Sequence, residues 1–355
     1  MTMLKVDTGK PVLVTGATGY VAGWLIKRLL EEGLTVHAAV RNPADTAKTA
    51  HLTRLADELP GQIRFFKADL LAKGSFDAAM QGCAVVFHTA SPFTLAINDP
   101  QADLVDPAQK GTRNVLESAN RTPSVKRVVL TSSCAAIYGD NADLQNLPRQ
   151  TLTEDVWNTS SSLDHNPYSY SKTVAERQAW EIAKQQSRWD LVVINPSLVL
   201  GPGLNPNATS ESFNLLRQLG DGRMKTGAAD IAIGIVDVRD VAQAHVNAAF
   251  FPDAKGRHIV SGHNASLPLM ARALLPAYDA FPVPRRTLPK WLVWLVGPLA
   301  DSTVTRKFVS RNVGYPWKAD NGKSVRELQM TYRPMQVSVQ EMFQQMIDSG
   351  QIAAK

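Results

Sequence analysis

Cysteine is scarce in this chain of 355 residues: Cys83 and Cys134 are the only two, and they form no CxxC pair. A disulfide framework is therefore not what organises the fold, and the thiols suit a reducing compartment, so a cytoplasmic location is expected. The seven histidines show no HExxH or comparable ligand spacing, and no metal site is expected. Charge is modest as well. Asp, Glu, Lys and Arg make up 20%, and the net charge of +6 is spread out, with no basic run interleaved with aromatics. Nucleic acid is therefore not an expected partner, whereas anionic small molecules are. Long hydrophobic runs are also missing. Met1–Lys10 holds no long apolar stretch ending in a small-residue cleavage site, so no secretory leader is expected. The most apolar stretch, Leu288–Ala300, contains Lys290, Gly297 and Pro298 and falls short of the roughly 20 residues of a spanning helix.

What is present is an alternation of periods. Val12-Leu13-Val14 reads as a strand entering a glycine-rich turn, and Val21, Leu25, Leu29 and Leu30 then recur at helical spacing. Strands are expected at Thr35–Val40, Ile63–Phe66, Ala84–His88, Val125–Leu130 and Leu191–Asn195, with helices at Ala44–Leu59, Pro107–Ala119 and Pro167–Gln186 between them. Asn141–Asn166, rich in Asn, Ser, Thr and Asp, reads as a surface loop. Past Pro196 come the breakers Gly201-Pro202-Gly203 and Asn205-Pro206-Asn207, then a helix near Ser210–Leu219, a return to the sheet at Ile235–Val238, a helix at Val241–Phe250 and a strand at His258–Ser261. The pattern predicts an α/β fold: a Rossmann-type doubly wound parallel sheet with a smaller, interleaved C-terminal substrate lobe. Residues 1–200 and 232–262 are assigned to the nucleotide-binding domain, and 201–231 and 263–355 to the lobe.

The segment from Thr15 to Gly23 lies where the first strand meets the first helix, so its backbone N–H groups and the helix N-terminus can hold a pyrophosphate. Gly16 permits the tight turn, Gly19 the close approach of phosphate, and Ala22 the packing of helix on strand. The glycines alone would be weak evidence; their position on the first strand of an alternating chain makes them specific. The second strand ends Ala39-Val40-Arg41-Asn42, without the acid that accepts from the ribose hydroxyls in NAD-binding folds. Arg41, with Lys48 from the next helix, can pair with a 2′-phosphate, which favours NADP(H); two solvated surface cations are the alternative.

Tyr168 and Lys172 stand four residues apart on the helix Pro167–Gln186, hence on one face. A free tyrosine titrates at roughly 10, and an adjacent ammonium group makes its proton easier to give up. Thr131-Ser132-Ser133 follows a strand at the sheet edge where ligands bind, and a hydroxyl there can hold a substrate oxygen against Tyr168. Separately these read as turn chemistry and a helix-surface pair. Together, behind a dinucleotide turn, they read as a site.

The segments TGATGYVAGWL (15–25), DLLAKGSFDAAMQGCAVVFHTASP (69–92), TSS (131–133) and YSYSK (168–172) make the chain resemble the extended short-chain dehydrogenase/reductases. The nearest likeness is to the branch of dihydroflavonol reductases, cinnamoyl-CoA reductases and methylglyoxal or aldehyde reductases, over roughly Pro11–Val241 and only loosely beyond. The resemblance implies NADPH-dependent reduction of an aldehyde or ketone, with Tyr168 as general acid, Lys172 as its partner and ribose ligand, and Ser133 orienting the carbonyl. It implies that Thr15, Gly16, Thr18, Gly19, Tyr20 and Val21 meet the pyrophosphate, Arg41 and Lys48 the 2′-phosphate, and Asp69 and Leu70 the adenine. Thr89, Ala90, Ser91, Thr131, Pro196 and Ser197 would then lie along the rest of the cofactor. Cys134 is expected to be a buried inert thiol, His88 a satisfied core or cofactor-rim histidine and Asn114 structural. Substrate contacts are expected from Pro92–Asn98, Tyr138–Asp143, Leu204–Asn214 and the C-terminal lobe, and a monomer or homodimer is expected. Trp291, Leu292, Trp294 and Leu295 are read first as a core helix, with a substrate roof or a lipid-touching surface as alternatives. Competing functions are a nucleotide-sugar epimerase or dehydratase, a 3β-hydroxysteroid dehydrogenase, and a non-catalytic NADP(H) sensor; retention of both Tyr168 and Lys172 argues against the last.

Overall fold

The computed structural model describes residues 9–91, 97–205, 210–300 and 303–353. Its first half alternates strand and helix: β1 (Val12–Thr15), α1 (Tyr20–Glu31), β2 (Thr35–Val40), α2 (Thr46–Glu58), β3 (Gln62–Lys67), α3 (Asp77–Met80), β4 (Val85–His88), α4 (Asp106–Arg121), β5 (Arg127–Thr131), α5 (Pro167–Lys184) and β6 (Asp190–Pro196). The second half runs β7 (Leu198–Leu200), α6 (Glu211–Gly220), β8 (Ala228–Ala229), β9 (Ala232–Asp237), α7 (Val238–Phe250), β10 (Gly256–Val260), β11 (His263–Ser266), α8 (Leu267–Leu274), β12 (Thr287–Leu288), α9 (Lys290–Ala300), α10 (Arg306–Asn312), α11 (Gly322–Glu327) and α12 (Met335–Asp348).

Seven strands form one parallel sheet in the order β10-β6-β5-β4-β1-β2-β3. Because successive strand residues face opposite ways, continuous apolar runs are what a sheet covered on both faces requires. Val12, Val14, Val85, Phe87, Val129, Val192 and Ile194 pack under α1, α2 and α7. Leu13, Val86, Val128, Leu130, Leu191 and Val193 pack under α3, α4 and α5. In α1 the buried set Ala22, Leu25, Ile26, Leu29 and Leu30 follows the helical period and accounts for its orientation. The strand order reverses between β1 and β4, which opens a crevice at their carboxyl ends. A second core, with Phe213 and Leu216 of α6, Met270 of α8, and Met342 and Phe343 of α12, fills the lobe beside it.

Three expectations need correction. The segment around Ile235 does not rejoin the main sheet: β9 pairs instead with β7 and β11 in a separate three-stranded sheet, and β10 alone returns to the large one. The polar passage after Tyr138 is not simply a surface loop, since Asn141, Leu144, Leu152, Asn158 and His165 are buried and Asn141–Asn146 is 3-10 helical. Its polar side chains go inward because they hydrogen-bond one another and the lobe, as buried polar groups must. Finally, α9 is not a core helix. Only Val293 is buried, packed with Val309 and Val313 around α10, while Trp291, Trp294, Leu295, Val296 and Leu299 are exposed. Among the described residues no helix is long and apolar enough to cross a membrane.

Candidate active site

A cleft of about 1120 Å³ runs along the carboxyl ends of the central strands. At its middle is the turn after β1. Gly16 has φ +62°, and a Cβ there would stand 2.9 Å from the Ala90 backbone, so glycine lets the turn lie against the end of β4. Gly16, Thr18, Gly19, Tyr20 and Val21 line the cleft, with the N-terminus of α1 facing it. Thr15 sits beneath the turn: its fully buried hydroxyl accepts from the Ala90 N–H (3.1 Å) and contacts His88 Nδ1 (3.0 Å). The Tyr20 hydroxyl donates to the Gly201 carbonyl (2.5 Å); burial first, then the Asp237 charge, raises its pKa.

The outer end is basic. Arg41 and Lys48 line it together with His51, Asp69 and Leu70. Arg41 has no ion-pair partner among the described residues, and Lys48 reaches Asp45 at 3.1 Å. Burial, and then Arg54, push the His51 ring below its ordinary value. Leu70 is seated by Gly111 of α4, where any Cβ would overlap its side chain, and its carbonyl accepts from Asn114 Nδ2 (2.9 Å). Asn114 is thus structural, as expected. His51 was not foreseen; a lone histidine within a helix gives no signal.

The inner end brings together Ser91, Thr131, Ser133, Tyr168, Lys172, Pro196 and Ser197, with Thr89 and Ala90 behind. Asn166 holds a left-handed conformation (φ +54°) and Pro167 opens α5, so Tyr168 lies in its first turn, half-exposed to the cleft. One turn later Lys172 Nζ donates to Ser91 Oγ (2.9 Å) and lies 5.7 Å from the Tyr168 ring centroid. Burial, reinforced by the Lys172 charge, depresses His88 to about 3, so its ring is neutral. Thr131 contacts His245 Nε2 (2.6 Å), and burial depresses that ring to about 4. Its Nδ1 lies 2.7 Å from the Val241 carbonyl and donates to it, so Nε2 accepts from Thr131.

Two networks that the sequence reading missed hold this end. Glu176, one turn beyond Lys172 and fully buried, accepts from Ser132 Oγ (2.5 Å), Asn195 Nδ2 (2.8 Å) and Arg257 Nε (2.6 Å). Asn195 Nδ2 also donates to the Ser133 carbonyl (3.1 Å). The Ser132 hydroxyl is thereby turned away, while Ser133 Oγ accepts from the Ala135 N–H (3.1 Å) and keeps its own proton free. At the start of α5, Asp140 receives His165 Nε2 (2.7 Å), Asn166 Nδ2 (3.0 Å), Asn312 Nδ2 (2.7 Å) and Arg311. Burial alone would raise the Asp140 carboxyl, but hydrogen bonds from His165, Asn312 and Arg311 hold it below the ordinary value.

Beyond the inner end the wall turns apolar, with Tyr138, Leu198, Ile233 and Trp317. The Trp317 ring packs against Gly234, where a Cβ would collide with it, and meets Tyr138 edge-on at 5.9 Å. Of the expected substrate segments, Tyr138, Leu204, Asn205, Ser210, Glu211 and Ser212 reach the cleft; residues 92–96 and 206–209 lie outside the described set. The C-terminal lobe contributes Trp317 rather than α9. Cys134 lines the cleft but is buried, and burial pushes its thiol well up, which leaves it inert. No group of three His, Cys, Asp or Glu able to hold a metal occurs among the described residues. The cleft does fit a dinucleotide: a glycine cradle and helix N-terminus at its middle, cations outside, and on the inner wall the buried Ser197 hydroxyl, without a partner among the described residues.

Known proteins resemble this chain in sequence and in fold. Residues 12–262 match the model of the NAD dependent epimerase/dehydratase family. The chain is 40% identical to a cinnamoyl-CoA reductase, CAD2, of Medicago truncatula over 80% of its own length and 86% of the relative's. It is 39% identical to a putative anthocyanidin reductase of Ginkgo biloba, over 78% and 82%. In three dimensions it resembles the yeast methylglyoxal/isovaleraldehyde reductase Gre2, solved with NADPH, with a TM-score of 0.77, 26% identity, and 96% and 100% of the two chains covered. With a doubly wound parallel sheet and curated relatives named as reductases, the chain belongs to the NAD dependent epimerase/dehydratase family and stands among its oxidoreductases.

Proposed function

We propose that the protein is an NADPH-dependent reductase that converts a small-molecule aldehyde or ketone to the alcohol. The observation that carries this reading is the convergence of Tyr168, Lys172 and Ser133 at one end of a cleft whose other end presents Arg41 and Lys48. The turn at Gly16 and the N-terminus of α1 would hold the pyrophosphate, and the two cations a 2′-phosphate. Reduced nicotinamide, when bound, supplies hydride. Ser133 would donate to the substrate oxygen and fix its direction, and the Tyr168 hydroxyl would deliver the proton as negative charge develops there. The bond from Lys172 to Ser91 keeps the ammonium on the cleft side of α5, 5.7 Å from the Tyr168 ring centroid. Tyr138, Ile233, Leu198 and Trp317 form an apolar wall that suits a hydrophobic substituent.

The test follows the near-ultraviolet absorbance of reduced nicotinamide, with NADPH and then NADH, across aliphatic aldehydes, diketones and aryl ketones. Turnover preferring NADPH and abolished by Tyr168→Phe is the expected result. Tight cofactor binding with no turnover on any carbonyl would overturn the reading.

A further inference from the structure

Helix α9 has the composition of a core and the position of a surface. Along it Trp291 is 68%, Leu295 51% and Leu299 87% exposed, and Trp294 and Val296 are each 40% exposed. Trp291, Trp294, Leu295 and Leu299 share one face by spacing. None of them lines the cleft, so this face is not the roof of the substrate site. An apolar strip with two adjacent indoles is more than the scattered single hydrophobes of an ordinary surface.

The chain to either side of it is basic. Between Pro282 and Ala319 there are seven Lys and Arg residues against a single acid, Asp301. Arg285 is paired with Asp279, and Arg311 with Asp140 and Asp143. The others include Lys290, whose ammonium lies 4.4 Å from the Tyr315 ring centroid and donates to the Ser310 carbonyl, and Arg306, stacked 4.6 Å from the Trp294 ring centroid. Lys307 follows Arg306 on α10. A guanidinium on an indole and an ammonium on a phenol ring, at the rim of an apolar strip, suit a helix lying in a lipid interface, where aromatic rings occupy the headgroup level and cations meet phosphates.

We propose that α9 and its basic rim dock the protein on an anionic phospholipid surface, with Trp291, Leu295 and Leu299 entering the headgroup boundary and Arg306 and Lys307 facing lipid phosphates. A second copy of the chain fits less well. A two-fold contact would set each basic rim against its own copy, whereas a phosphate surface complements it. The helix lies flat on such a surface and does not span it, in keeping with its length and with Pro298 near its end.

The experiment is cosedimentation of the full-length protein with vesicles of phosphatidylcholine alone and of phosphatidylcholine containing phosphatidylserine, read together with tryptophan emission. Binding to the anionic vesicles only, with a blue shift and weakening on added salt, is expected. Leu295→Ser with Leu299→Ser should weaken it by more than about tenfold. Arg306→Glu with Lys307→Glu should weaken it by at least roughly fivefold per residue. Both variants should keep the wild-type thermal midpoint because the altered side chains are peripheral to the core. Absence of binding, or equal binding to neutral vesicles, would overturn the proposal. So would a dimer in light scattering that the Leu295 and Leu299 changes dissociate while lipid binding is absent, since the face would then belong to a second copy.

Discussion

The two ends of the cleft are built by opposite means. At the inner end the groups that flank Tyr168 are tied in a chain of bonds: Lys172 to Ser91, Thr131 to His245, and Ser132 and Asn195 to Glu176, whose own charge is met by Arg257. At the outer end Arg41 has no ion-pair partner among the described residues and Lys48 only the neighbouring Asp45. Chemistry on a carbonyl needs its groups held to a fraction of an ångström, and buried hydrogen bonds in a low dielectric supply that. Recognition of a solvated phosphate needs charge more than fixed position, so flexible exposed cations suffice there.

If the ends differ in this way, substitutions should sort by which end they touch. Tyr168→Phe should produce the largest effect, a loss of about 10² to 10⁴ in kcat. NADPH affinity, read by fluorescence quenching, should stay near the wild-type value, because the hydroxyl is lost from a half-exposed residue. Arg257→Met should follow. It leaves Glu176 a buried charge without its counter-ion, and denaturant unfolding should show a loss of about 3–5 kcal/mol. A variant of wild-type stability would remove the claim that the inner end rests on this pair.

Acid should also weaken the inner end. Histidine titrates near 6.5 when unfolded, whereas burial lowers His245 to about 4, and burial together with the Lys172 charge lowers His88 to about 3. The unfolded chain therefore takes up protons that the fold refuses. Their contribution is intact above about 6.5 and declines as the pH falls toward 4. The denaturant midpoint should drop over that window and drop less in His245→Gln; a level midpoint would contradict it.

Changes at the outer end should leave stability untouched and alter cofactor choice instead. Arg41→Ala should raise the Kd for NADPH by roughly tenfold to a hundredfold, the worth of a charge-assisted hydrogen bond, without weakening NADH. Lys48→Ala should be the mildest change, only about a few-fold, because Asp45 already offsets its charge. Titration of each variant with both cofactors checks the pair.

The sequence showed what rests on local periodicity. β1, the Gly16 turn and α1 are contiguous, and Tyr168 and Lys172 share a face because four residues make about one helical turn. What joins distant segments was not legible. Nothing near Glu176 announces Arg257, 81 residues on, nor does the Asn-rich passage announce that Asp140 will gather Arg311 and Asn312 from the lobe. The strand at Ile235 was recognisable as a strand, but its partners β7 and β11 were not, since an apolar run carries no label for its sheet. In α9 composition misled for a different reason: apolar content says that a surface avoids water, not what covers it.

The bond from Arg257 to Glu176 also sets an order of assembly. Arg257 lies on β10, the edge strand that completes the large sheet and the last of its strands to leave the ribosome. A nascent or truncated chain ending before Gly256 would already contain Tyr168, Lys172 and Ser133, yet Glu176 beneath them would have no counter-charge. The reactive end of the cleft is thus withheld until the sheet is closed, so that partial chains carry the residues of the site without its architecture.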